Sequence, residues 1–209
     1  MNINLKNNGD FWTRMDKEEQ RGFLSGPPVG IQHPSRLAVK NFLGTRKGRK
    51  PSLLEIPCAS GAEYPLLSEN FQYTGMDKTE ALIKVFKEKH PEADVRIGDI
   101  RAIPEKDDSF HTVYARAIFE HLCDEDDVAL AMRECYRVAK NTVIYSFYLP
   151  LGKETSINWN GQFFENRYSR SFIDSVISSL GAKSVKEEFV DVAGTDFLDS
   201  YTIFYVSKV

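Results

Sequence analysis

The chain has 209 residues, of which 42% are hydrophobic and 27% charged, with 27 Lys plus Arg against 30 Asp plus Glu for a formal net charge of -3. That length suits one domain with some decoration, the apolar share suits a buried core, and the charge balance offers no basic field for a nucleic-acid binder held by phosphate contacts. The longest apolar stretch, residues 143–151, falls short of the roughly 20 residues a membrane span requires. The first dozen residues lack a secretory pattern and Cys58, Cys123 and Cys135 form no metal-type pair, so a reduced, cytoplasmic protein without a bound metal is expected.

Residues 1–50 read as an amino-terminal cap segment carrying Phe11, Trp12 and a Pro/Gly-rich stretch with His33, which faces either an acceptor or, as the preferred reading, solvent. The basic run at 46–50 reads as a solvated connector. Residues 52–56 form a short apolar run ended by Pro57 and the small-residue turn Cys58-Ala59-Ser60-Gly61, the pattern of a buried strand feeding a tight turn and then a helix. A second strand is expected over 72–77, a helix from about Leu82 to Lys89, a brief strand at 95–97, and another at 109–116. The best-defined helix begins near Asp124: Val128, Ala131, Met132, Cys135, Val138 and Ala139 share a stripe, acids load its first turn and bases its last.

Residues 141–149 are rich in β-branched and aromatic side chains and read as a buried central strand. The long connection after it, about 150–168, holds Trp159, Phe163, Phe164 and Tyr168 and reads as a lid. A helix capped by Ser169 and stopped at Gly181 follows, then two strands, 184–192 and 200–209, with no helix between them. Alternating strands and helices imply a mostly parallel sheet of seven strands with helices on both faces, closed by an antiparallel carboxyl-terminal hairpin. In such a sheet the ligand lies beyond the carboxyl ends of the strands, where residues 57–61, 77, 99 and 116–121 fall.

Three acids, Glu55, Asp77 and Asp99, stand at or just after the ends of successive strands. A carboxylate 16 residues beyond Gly61 suits the two hydroxyls of a ribose. Asp77 taken alone also reads as a helix cap, with Glu80 completing a capping box. Together, residues 53–61, 73–77, 98–100 and 103–122 make the sequence resemble the class I S-adenosylmethionine-dependent methyltransferases, in particular a broad small-molecule group. The resemblance implies a Rossmann-like, doubly wound α/β fold, S-adenosylmethionine as cofactor, and in-line methyl transfer to a small-molecule acceptor, with no nucleic acid or membrane as partner.

Carried over by that resemblance, the turn with Pro57, Ala59 and Gly61, and Glu55 before it, lie against the methionine part of the cofactor. Asp77, with Lys78 beside it, holds the ribose, Asp99 meets the adenine amino group, Ile100 packs on the ring, and the Arg116 carbonyl receives the amino group. His121, in the run Phe119-Glu120-His121-Leu122, is a candidate for proton transfer or positioning, with His33 a second candidate. The turn departs from the family pattern: Pro57 and Ala59 stand where glycines are usual, so a slightly shifted loop is expected. Two other classes fit parts of the pattern. One is a degenerate methyltransferase fold serving as a binding or regulatory protein, the other a nicotinamide-dependent dehydrogenase, which lacks its glycine fingerprint here. Cys58 reads as a small turn residue rather than a nucleophile, and His111 as cover for one sheet face.

Overall fold

The computed structural model describes residues 33–45, 48–161, 163–191 and 200–209. Phe11, Trp12 and the rest of residues 1–32 lie outside them. Helix α1 (Pro34–Leu43) precedes β1 (Ser52–Glu55), α2 (Tyr64–Ser68), β2 (Gln72–Asp77), α3 (Glu80–Lys89), β3 (Asp94–Ile97) and β4 (Phe110–Arg116). A 3-10 turn, Phe119–His121, leads into α4 (Glu125–Val138), β5 (Ala139–Phe147), α5 (Arg170–Ser179), β6 (Ser184–Asp191) and β7 (Ser200–Ser207).

The sheet has seven strands in the order β3-β2-β1-β4-β5-β7-β6. Strands β1 to β5 pair in parallel, and β7 lies antiparallel between β5 and β6. The mostly parallel sheet and its antiparallel terminal pair are therefore as expected. The chain winds outward from β1 through β2 to β3, then crosses back to β4, so the switch point lies between β1 and β4. Successive residues of a strand face opposite sides, and Leu53 and Leu54 accordingly enter two different cores. Leu54, Val113, Tyr145 and Phe204 pack with Val128, Met132 and Cys135 of α4 and Ile173 and Val176 of α5. Leu53, Tyr73, Tyr114 and Ile144 pack with Ala38 and Val39 of α1 and Ile83 and Phe86 of α3.

Local signals act where expected. Asp124 caps α4 through its side chain on the Asp127 N–H, and Ser169 caps α5 on the Phe172 N–H. Gly181, at φ 70°, takes the left-handed conformation past α5. Strand β5 starts at Ala139, two residues earlier than expected, so the residue assigned to the α4 stripe is the first of the strand.

Helix α1 was not foreseen inside the cap segment. Pro34 occupies its first turn, where a missing N–H costs nothing, and His33 is its N-cap, with Nδ1 accepting from the Ser35 N–H. The reading of His33 as solvent-facing is corrected by this: the residue is 8% exposed, edge-on to the Tyr201 ring at 5.3 Å. His111, by contrast, is exposed and bonded to the Ser52 hydroxyl at 3.0 Å.

Candidate active site

A cavity of about 310 Å³ opens at the switch point. Ile56, Pro57 and Ala59 form its floor after β1, and Asp77, Lys78, Thr79 and Leu82 its side after β2. Gly98, Asp99 and Ile100 follow β3, while Ala117, Ile118, His121 and Leu122 form the wall after β4. Seven of the residues singled out from sequence thus line one cavity: Pro57, Ala59, Asp77, Lys78, Asp99, Ile100 and His121. Glu55, Gly61, Arg116 and His33 do not line it.

Asp77 is 4% exposed, and its two oxygens tie the cavity together: Oδ1 accepts the Thr79 N–H at 2.8 Å and Oδ2 the Ala59 N–H at 3.0 Å. Burial raises its carboxyl above the ordinary range, with those two backbone bonds pulling the other way. The capping box expected with Glu80 is absent, because Thr79, not Asp77, is the N-cap of α3. Each carboxylate oxygen has two lone pairs, so Asp77 can accept more than these two backbone bonds. Asp99 is gripped by Arg101 through Nε at 3.0 Å and Nη2 at 2.7 Å, and Arg101 reaches on to Asp127 at 2.8 Å. Burial opposes the Asp99 charge, but the Arg101 bonds outweigh it and hold the carboxyl low. Burial lowers the pKa of Lys78 beside them.

The turn keeps the shape its residues make difficult. Ala59 sits at φ 44° and Gly61 at φ 88°, both in the left-handed region. At Gly61 a Cβ would also meet the Phe86 ring at 3.0 Å, which accounts for glycine there. At Ala59 the strain is tolerated, its N–H being held by Asp77. Cys58 is 2% exposed and burial drives its thiol far up, consistent with a packing role.

Beside the cavity, between α1 and the ends of β1, β4 and β7, lies a buried polar chamber that the sequence did not announce. Arg36 Nε is 2.6 Å from Glu63 Oε2, a contact of charges out of line for a hydrogen bond, and Arg116 Nη1 is 3.2 Å from Glu63 Oε1. Arg116 Nη2 donates to the Tyr201 hydroxyl at 3.1 Å, and its Nε has no hydrogen-bond partner among the described residues. Burial works against the Arg116 charge, but Glu63 keeps its pKa above the usual value. Glu55 is 2% exposed and accepts from the Tyr73 hydroxyl at 2.5 Å; burial, then the Glu63 charge, raises its pKa well above the ordinary range. Burial, then Arg116 and Arg36, lower that of His33. The one sequence signal for this chamber was Arg36 placed three residues after a His-Pro helix start.

Glu120 is 1% exposed; Oε1 accepts the Tyr148 N–H at 2.7 Å and the Leu149 N–H at 3.3 Å, while Oε2 has no hydrogen-bond partner among the described residues. Burial raises its pKa to about 7. A carboxyl protonated in the folded state but ionised in the unfolded chain above its ordinary pKa costs stability as pH rises between those values. Wild-type stability is therefore expected to fall from about pH 4.5 to about pH 7 by on the order of 3 kcal/mol from this group. Glu120→Gln should flatten that slope in urea titrations run across the range, and an identical slope in both proteins would remove the assignment.

Among the described residues, Cys123, Asp124 and Asp127 are the group close enough to hold a cation. Asp124 caps α4 and Asp127 binds Arg101, so both already have structural work, and Cys123 is pushed up to about 12 by burial and then Asp127. No described helix is long and apolar enough to cross a membrane.

Residues 54–147 match the family model described as a methyltransferase domain. No curated protein sequence matches the chain. A solved S-adenosylmethionine-dependent methyltransferase from Leishmania major superposes with a TM-score of 0.76 at 12% identity, covering 97% of this chain and 82% of that one. Magnesium protoporphyrin IX methyltransferase from Synechocystis, solved with S-adenosylmethionine bound, gives 0.63 at 13% identity over 96% and 91%. A protein solved in complex with the Haloferax volcanii Trm112 methyltransferase activator gives 0.68 at 12% identity over 95% and 96%. Residues 54–147 thus resemble a methyltransferase domain, and the solved structures share this chain's fold.

Proposed function

We propose that the chain transfers the methyl group of S-adenosylmethionine to a small-molecule acceptor. The observation that carries this is the switch-point cavity, with two carboxylates on one side and apolar walls from Ile56, Leu82, Ile100, Ile118 and Leu122. That donor set fits an adenosine: acids for hydroxyl and amino hydrogens, aliphatic side chains for the ring. In this reading Asp77 takes the ribose hydroxyls, Asp99 the adenine amino group, Leu82 and Ile100 the ring faces, and the turn 57–61 the methionine chain. Glu55 acts from beneath through the shape of that turn, and Arg116 offers its backbone carbonyl. The polar chamber suits the amino-acid end: two guanidinium groups share the Glu63 carboxylate and burial opposes the Glu55 charge, which favours an anionic group there.

When bound, the cofactor supplies a sulfonium methyl with a good leaving group. What remains for the protein is alignment in a dry pocket, which can provide about 7 to 11 kcal/mol of the barrier. His121, on the cavity wall with its pKa lowered by burial, is neutral near pH 7 and takes the proton of the acceptor's nucleophilic atom. A general base adds 10²- to 10⁴-fold. A small acceptor is favoured because lid residues 163–168 are bonded to the wall at 120–122. The test is to incubate the protein with methyl-labelled cofactor and a cell extract separated by ultrafiltration. Label is expected in the small-molecule fraction; label confined to protein or RNA would overturn the acceptor class, and none in either, despite cofactor binding, would favour the regulatory reading.

The turn offers a sharper check of the cofactor end. Ala59→Gly relieves a left-handed alanine and should bind S-adenosylhomocysteine at least as tightly as wild type. Ala59→Val puts a β-branched residue at that φ and bulk into the cavity, and should lose most binding. Equal dissociation constants in the three proteins would place the ligand elsewhere.

A further inference from the structure

The lid and the cavity wall meet at one fully buried side chain, Asn166. Its Nδ2 donates to the Leu122 carbonyl at 2.6 Å and to the Tyr168 hydroxyl at 3.1 Å, and its Oδ1 accepts the Asn158 N–H at 2.8 Å. Its own N–H donates to the Glu120 carbonyl at 2.8 Å, and the Tyr168 hydroxyl adds a bond to Leu122 O at 3.2 Å. These bonds bracket His121 on both sides. Between them the Phe164 carbonyl stands 2.7 Å from His121 Nδ1. A carbonyl only accepts, so Nδ1 carries the hydrogen, and in a neutral imidazole Nε2 then carries the lone pair. Nε2 lies 3.5 Å from the Tyr148 hydroxyl, and the ring borders the cavity.

We propose that Asn166 is a positioning residue: by clamping the lid to the wall it seats the Phe164 carbonyl on His121 and fixes the tautomer whose Nε2 accepts the acceptor's proton. In that step the acceptor's N–H or O–H bond breaks, its electron pair stays on the acceptor atom, and the proton moves to Nε2. The imidazolium so formed keeps its Nδ1–H on Phe164 O, and the proton leaves to solvent afterwards. Lid closure and readiness of the base are then one event. The inference rests on the methyltransferase reading for its purpose, but the tautomer itself does not.

Imidazole nitrogen correlation spectra of ¹⁵N-histidine-labelled protein test it, and with four histidines in the chain the signals are assignable by single substitutions. Among the described residues, the titratable groups around the ring are Tyr148 just after β5, Glu165 in the lid and Glu120 next in sequence. Wild type is expected to show His121 as the Nδ1–H tautomer. In Asn166→Ala the Nε2–H form should dominate and the His121 pKa should rise toward its ordinary value as the ring meets water, while S-adenosylhomocysteine affinity stays within about tenfold. Tyr168→Phe, which removes one bond of the clamp, should shift the same way by less, and it decides the matter should Asn166→Ala fail to fold. A wild-type Nε2–H tautomer, or an unchanged tautomer in the folded variants, overturns the proposal; a purely structural Asn166 would lower the melting temperature and leave the tautomer alone. Failure of wild type to bind S-adenosylhomocysteine would instead count against the methyltransferase reading.

Discussion

Asp77→Ala is expected to weaken S-adenosylhomocysteine binding about 10- to 100-fold, since hydrogen bonds to a charged group contribute roughly 1.5 to 3 kcal/mol. The structure adds a second consequence. The Ala59 and Thr79 N–H groups both lose their acceptor, so the turn after β1 and the entry to α3 loosen together. A buried donor left unpaired costs about 1 to 3 kcal/mol, and the melting temperature should fall as well. Asp77→Asn should be milder in both respects: its one remaining oxygen can hold one of the two N–H groups, and it offers fewer acceptors to the ribose. Calorimetric titration of the three proteins, with circular dichroism as the check on folding, reads both quantities. An unchanged dissociation constant in folded Asp77→Ala would remove the ribose assignment and leave Asp77 as a brace for the turn.

Arg116→Ala should have the largest effect on stability, about 3 to 5 kcal/mol by urea unfolding, the cost of breaking a buried ion pair from one side. Glu63 would keep only Arg36, and the Tyr201 hydroxyl would lose its donor. The chamber is held together by mutual compensation, so removing Arg36, Glu63 and Arg116 at once, as Met, Leu and Met, should recover much of the loss. A cost below about 1 kcal/mol for Arg116→Ala would mean that water solvates these charges.

The fold was legible because its signals are local. Val128, Met132 and Cys135 repeat at helical spacing, Asp124 and Ser169 announce helix starts, and the β-branched run at 141–147 reads as a strand whatever surrounds it. Where sequence reading fell short, the deciding partner was distant in the chain. His33 is buried by Tyr201, 168 residues away, and Arg36 by Glu63 on the far side of the first strand. The pattern of acids after strands placed Asp77 and Asp99 at one cavity, but nothing local told that Asp77 would hold the Ala59 N–H or that Arg101 would occupy Asp99. Glu55 belonged to the same pattern, yet pleating turns it under the turn toward Tyr73. Asn166 gave no signal at all: its meaning comes from Leu122, Asn158 and Glu120, which only the folded connection after β5 brings to it.

The most direct measurement is a calorimetric titration of the wild-type protein with S-adenosylhomocysteine, repeated with reduced nicotinamide dinucleotide and in Ala59→Val. A single-site isotherm for S-adenosylhomocysteine, absent for the dinucleotide and lost in folded Ala59→Val, is the result expected of a cavity lined by Pro57, Ala59, Asp77, Leu82, Asp99 and Ile100. No binding of S-adenosylhomocysteine, or binding of equal strength in Ala59→Val, would contradict the assignment of that cavity to the cofactor.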